Sequence, residues 1–139
     1  MAIDIANLMR DMGAAWISHD TGRIVSFFTD DAVYEDVPLG ILNKGKKEIA
    51  DFIHDYFAGF PDVKVQVTGS FLSADHACGE WIITGTHRGF FPNLPASGRV
   101  VSIRGITISE FRGDKISRRS DYYDMAELLR QLGVLPSAP

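Results

Sequence analysis

Two aspartates and a histidine in this chain of 139 residues sit where their side chains could move protons. Asp121 lies in the run Ile116 to Tyr123, which alternates like a strand; Arg119 and Tyr123 share its face, while Arg118, Ser120 and Tyr122 take the other. A carboxylate that projects from a strand into an aromatic pocket loses hydration, which raises its pKa toward the working range of a proton shuttle. The same residue could equally be an exposed or salt-bridged strand aspartate. Arg119, if it also points inward, would keep Asp121 ionised and favour a base over an acid. At the rim it would only reach solvent. Asp36 shares a face with Tyr34 on an earlier strand, and suits either a pocket or a strand-end hydrogen bond. His87 stands at a strand end ahead of a loop, where a histidine can orient a carbonyl or hold a carboxylate, or lie half-buried without a role.

Other chemistries lack their residues. His19, His54, His76 and His87 show no metal-binding spacing, so no metal and no cofactor are expected. No glycine-rich phosphate loop, G-x-S-x-G elbow or Ser-His-Asp arrangement is present. Cys78, beside Gly79 in a strand, reads as a small core residue rather than a nucleophile. The aromatic content of nine Phe, four Tyr and two Trp is high for a small chain, and implies a bulky core or a lined cavity. Trp16, Phe27, Tyr34, Phe52, Tyr56, Trp81 and Phe90 each fit a plain core. As a group they suit a flat, polycyclic or long unsaturated ligand better than a sugar or a phosphate.

These side chains need elements to hold them. Ile5, Leu8, Met9, Met12 and Trp16 form one stripe of a helix from Ile3 to Ser18, broken at Asp20-Thr21-Gly22. A short helix is expected from Arg23 to Phe28, ending at Thr29-Asp30-Asp31, then a strand from Ala32 to Val37 that stops at Pro38. Gly40 and Gly45 bound a turn. Ile49, Phe52, Ile53, Tyr56 and Phe57 share one face of a helix from Glu48 to Phe57. Four strands follow, Val63 to Leu72, Ala77 to His87, Val100 to Phe111 and Ile116 to Tyr123. A loop from Gly89 to Gly98 interrupts them and could cover a pocket mouth. Asp124 caps a last helix, Met125 to Leu132, which Gly133 ends. Helices followed by a curled sheet give an α+β class: a curved antiparallel (mixed) sheet wrapped around the N-terminal helices as a cone with one internal pocket. Residues 1–135 form a single domain and 136–139 a frayed tail.

Composition narrows the partners. A net charge of −4 argues against nucleic acid or an anionic membrane surface, and one cysteine allows no internal disulfide. No apolar run approaches the roughly 18 residues of a membrane span, so a cytoplasmic location is expected. Val101, Ile103, Ile106 and Ile108 make both faces of the third long strand partly apolar, which favours a homodimer through the sheet.

Gly113-Asp-Lys-Ile-Ser-Arg-Arg-Ser-Asp-Tyr-Tyr-Asp-Met-Ala-Glu-Leu-Leu-Arg-Gln-Leu-Gly133 resembles the closing hairpin, strand and helix of the SnoaL-like polyketide cyclases. Gly85-Thr-His-Arg-Gly89 with Gly98-Arg99, and Phe28-Thr-Asp-Asp-Ala-Val-Tyr-Glu-Asp36, extend the likeness over nearly the whole chain. The last of these also resembles the ketosteroid isomerases, which share the cone. The resemblance implies that Asp121 is the general acid/base of an intramolecular aldol cyclisation that needs no cofactor, acting on a hydrophobic carbonyl compound. It matches His87 to a histidine of the cyclases and places Asp36 on the pocket wall opposite the last strand, where the isomerases carry their base. Met12 and Thr107 stand near the isomerases' oxyanion-hole positions and cannot fill that role well, and the cyclases carry a histidine near Thr107. Thr107 could still hydrogen-bond a carbonyl or water. Ser120-Asp-Tyr-Tyr-Asp124 resembles the limonene-epoxide hydrolases, but the middle strand, Glu80-Trp-Ile-Ile-Thr-Gly, lacks their Arg and second Asp. The alternative to a cyclase or isomerase is a non-catalytic binding or assembly module of the same fold.

Overall fold

The first helix starts where an aspartate can satisfy its free amides. Asp4 accepts from Asn7 N at 3.0 Å and opens α1 (Ile5–Ile17); Asp20 accepts from Arg23 N and opens α2 (Thr21–Val25). The computed structural model describes residues 4–89 and 94–136, so Phe90 lies outside the described residues. Beyond α2 come β1 (Phe28–Asp36), β2 (Ile41–Lys44), α3 (Gly45–Gly59), β3 (Lys64–Leu72), β4 (His76–Thr86), β5 (Val100–Arg112), β6 (Lys115–Tyr123) and α4 (Met125–Gln131). Asp124 caps α4 by accepting from Glu127 N at 3.0 Å, and Gly133 follows it at φ 79°.

Two expectations are corrected near the start of the sheet. The helix expected over Arg23 to Phe28 ends at Val25, and Phe28 to Asp31 belong to β1 instead. The reason is tertiary: Ile116 N donates to Phe27 O at 2.8 Å, and parallel pairing with β6 buries Phe28 completely. The segment between Gly40 and Gly45, expected as a turn, carries β2. Its residues pair antiparallel with β1 from Val33↔Lys44 to Asp36↔Ile41, and the reversal is a tight turn closed by Gly40 N to Val37 O at 3.1 Å.

The six strands hydrogen-bond in the order β2-β1-β6-β5-β4-β3. Every pair is antiparallel except β1 with β6. Helices cover one face. Met12 and Ala15 of α1, Ile24 of α2, and Ile49 and Ile53 of α3 share one core with Phe28, Tyr34, Ala77, Phe111 and Ile116 of the sheet. A second cluster, Phe60, Val63, Val101, Ile103, Leu128 and Leu132, seats α4 against the far part of the sheet. This is the expected α+β arrangement of a mixed sheet wrapped over N-terminal helices. No helix among the described residues is long and apolar enough to cross a membrane.

The alternation of β5 sends Val101, Ile103, Thr107, Ser109 and Phe111 inward and Ile108 outward. The outer face keeps apolar side chains in solvent, among them Phe71, Ile108 and Tyr122. Val67 and Leu72 are exposed as well but pair with the inward-facing Trp81 and Ala77, so they lie on the opposite face of the edge strand. A shallow hollow of about 250 Å³ opens where β3 turns into β4, lined by Phe71, Leu72, Ser73, His76, Ala77, Cys78 and Ile108. Cys78 therefore lines a surface hollow rather than the core.

Candidate active site

The inward faces of β1, β5 and β6 meet at two buried carboxylates. Parallel pairing sets Asp36 directly beside Asp121, and both are under a tenth exposed. The two strands are hydrogen-bonded neighbours, so Asp36 stands next to the last strand and not across a pocket from it.

Asp121 receives three hydrogen bonds. Tyr34 donates its hydroxyl to Oδ2 at 2.5 Å, Thr107 donates to Oδ1 at 2.6 Å, and Arg119 Nε donates to Oδ1 at 3.3 Å. Among the described residues, two hydroxyls and one guanidinium N–H converge on it. Arg119 points inward, with its side chain 11% exposed. Its guanidinium lies 4.6 Å from the Trp16 ring and 4.9 Å from the Tyr34 ring, a cation held between two aromatic faces. Burial, the nearby Asp121 charge and the bond to Asp121 hold the Tyr34 hydroxyl far above its ordinary value, with Arg119 opposing them.

Thr107 is itself fixed from behind. Trp81 Nε1 donates to Thr107 Oγ1 at 2.8 Å, giving a relay from Trp81 through Thr107 to Asp121. Trp81 reaches it by lying over its register partner Gly105, where any Cβ would come within 2.3 Å of the indole. Only glycine leaves that room.

Asp36 has a different environment. Leu39 N donates to Oδ1 at 3.1 Å, and the Tyr123 hydroxyl sits 2.9 Å from Oδ1 and 3.1 Å from Oδ2. Loss of hydration dominates, with Asp121's charge adding to it, and pushes the carboxyl up to about 6 against the bonds from Leu39 and Tyr123. Two adjacent carboxyls thus have contrasting surroundings, one met by a guanidinium and two hydroxyls, the other starved of water.

The aromatic wall expected from composition is partly here. Phe52 meets the Tyr34 ring edge-on at 5.4 Å, and Tyr56 meets Trp16 edge-on at 6.3 Å. Phe27 packs against the first core. Tyr34 and Trp81 are more than walls, since their polar atoms bind Asp121 and Thr107; counting them as apolar surface hides this, and only their strand alternation signals it. His87 is buried but lies in another network. Its ring stacks on Phe60 at 5.5 Å, its Nδ1 is 2.8 Å from Ser97 Oγ, and its backbone pairs with Gly98 and Arg99. Burial holds its pKa below the ordinary histidine value. It fastens the loop that follows β4 and is not among the contacts of Asp36 or Asp121.

A phenol on each of two neighbouring carboxyls, a buried guanidinium and this sheet order sit on a chain whose residues 6–132 match the model of the SnoaL-like polyketide cyclases. The chain belongs to that family. No curated protein is a match for it. Among solved structures it is similar to AclR of Streptomyces galilaeus, a proposed hydroxylase, at 25% identity, covering 96% of this chain and 83% of that one, with a TM-score of 0.82. A Catenulispora acidiphila protein with a ketosteroid-isomerase-like fold, in complex with trimethylamine, is 22% identical, with coverage of 95% and 97% and a TM-score of 0.80. A proposed SnoaL-like polyketide cyclase from Jannaschia sp. CCS1 is 18% identical, with coverage of 95% and 92% and a TM-score of 0.83. The latter two show a shared fold. For this SnoaL-like chain the family and the fold stand together.

Proposed function

We propose that this SnoaL-like protein is a cofactor-independent cyclase or isomerase of a hydrophobic polyketide-type carbonyl compound, with Asp121 as its base and Asp36 as its acid. The contrast between the two carboxyl environments carries this reading. Neighbouring titratable groups pushed apart by their surroundings are how one site holds an acid and a base together. Asp121 takes a proton from carbon flanked by carbonyls. The resulting enolate carbon attacks a second carbonyl of the same chain, forming the ring bond and leaving an alkoxide. Asp36 in its acid form protonates that oxygen, and transfer of the proton from Asp121 back to Asp36 resets the pair. A 1,3-dicarbonyl substrate supplies its own acidity, so the scheme calls for no electron sink. Holding the chain bent for ring closure contributes too, up to roughly 7–11 kcal/mol in ideal cases. His87 takes no part in the scheme.

The test is a panel of linear and polycyclic β-dicarbonyl compounds, with turnover followed by mass spectrometry and binding by thermal shift. Asp121→Asn and Asp36→Asn should each lower turnover by about 10²–10⁴-fold while binding persists. Binding by the wild type with no turnover across the panel would instead make the protein a non-catalytic carrier or assembly module.

A further inference from the structure

The buried polar atoms around Arg119 are unevenly matched. Trp16 Nε1, the Tyr56 hydroxyl and Ser109 Oγ are out of contact with solvent and have no hydrogen-bond partner among the described residues. Two of them adjoin one arginine, and the third adjoins Trp16. Trp16 lies beneath Arg119 at 4.6 Å, Tyr56 meets Trp16 edge-on at 6.3 Å, and Ser109 is Arg119's register partner across β5 and β6. Arg119 has five N–H groups, and its bonds to Asp121 and Thr107 use two. Tyr56 belongs electrostatically to the same centre: burial first, then the charges of Asp121 and Asp36, hold its hydroxyl above the ordinary phenol value, with Arg119 opposing them.

Donors left without acceptors in a protein interior are costly, and even one isolated instance needs a reason. Three in one neighbourhood describe a place built for an oxygen that is not part of the chain. An anionic oxygen suits it poorly, because Asp121 already pairs with the single guanidinium. A neutral carbonyl oxygen that gains negative charge as its α-carbon loses a proton suits it well.

We infer that Trp16 Nε1 and the Tyr56 hydroxyl, beside the spare N–H groups of Arg119, form a donor hole for the carbonyl oxygen of an aryl or cyclic ketone. Ser109 closes its strand side. This deepens the cyclase or isomerase reading and rests on it for the reaction, but binding alone tests it. The two aromatics expected as apolar walls thereby become the groups that choose a ketone over a hydrocarbon of the same shape.

Matched pairs that cannot cyclise decide the matter: 1-indanone with indane, anthrone with 9,10-dihydroanthracene, and 9-fluorenone with fluorene. Affinities come from quenching of tryptophan fluorescence, checked by calorimetry for variants that lack Trp16. At least one ketone should bind roughly tenfold or more tighter than its hydrocarbon, with its infrared carbonyl band moved to lower frequency. Trp16→Phe and Tyr56→Phe should each cut that preference, taken as the ratio of ketone to hydrocarbon affinity within each variant, by about 3- to 10-fold and move the band back. An unaltered far-ultraviolet circular dichroism spectrum reports an intact fold. Ketones that bind no better than hydrocarbons in every pair, or a preference untouched by both variants, would overturn the inference. A protein that prefers ketones but turns over no dicarbonyl compound would keep the hole and lose the cyclase.

Discussion

Asp36 is a carboxyl kept from water with two hydrogen-bonding groups to compensate, and that has a stability signature. Its pKa is 3.8 ordinarily and about 6 in the folded chain, so between those values the native state holds the proton more tightly than the unfolded one. Native stability therefore falls as pH rises from about 4 to about 6, and the penalty is constant above that. At about 1.4 kcal/mol per pH unit the full penalty is roughly 3 kcal/mol. Asp36→Asn should accordingly raise stability by about 2–3 kcal/mol at pH 7.5 and by little at pH 4, measured by urea unfolding at both. An equal effect at the two pH values would mean that the carboxyl is not desolvated. Tyr123 opposes the shift through its hydrogen bond, so Tyr123→Phe should move any activity limb owed to Asp36 to higher pH.

Gly105, Trp81 and Thr107 show how an element holds a side chain in place. The Trp81 indole covers Gly105 and ties Thr107 to Asp121. Gly105→Ala would press a methyl into the indole and into the Tyr122 carbonyl, 2.6 Å away. It should cost about 1–3 kcal/mol on unfolding in urea and loosen the Trp81–Thr107 link. Loss of the blue-shifted tryptophan emission of a buried indole reports that loosening; an unperturbed spectrum with unchanged stability would show that the strand yields. The elements themselves were largely legible. Alternation over Ile116 to Tyr123 put Arg119, Asp121 and Tyr123 on one face, and the structure keeps them there. Phe28 and β2 were not, because their strand character comes from partners far along the chain. Three polar residues after Phe28 look like a helix end until β6 lies beside them.

At the scale of the molecule, the family and the mixed sheet could be read from ordered short motifs, each weak alone. The Tyr34–Asp121 bond could not, since nothing local marks which aromatic carries a working hydroxyl. Nor could the outer face be read in full: Phe71, Ile108 and Tyr122 continue or alternate along strands yet are 66%, 36% and 42% exposed. Exposed apolar surface of this kind favours association, and we propose a homodimer through this face. Light scattering at micromolar concentration should give twice the chain mass, and Phe71→Glu with Ile108→Glu should give the monomer. A monomeric mass for the wild type would refute the dimer.

The parallel seam between β1 and β6 also dictates when the protein becomes competent. The bonds Tyr34–Asp121 and Tyr123–Asp36 each span 87 residues, and both carboxyls depend on that one seam. During synthesis, every helix through α3 and the β3–β5 meander can emerge while Asp36 still faces solvent, ordinarily acidic and inert. The carboxyl pair comes together in one late event, the insertion of the penultimate element between β1 and β5. Long-range closures of this kind are slow relative to local ones, so partly made or partly opened chains lack the paired carboxyls. A ligand of the finished site would bind only chains that have closed the seam, and would stabilise them by mass action.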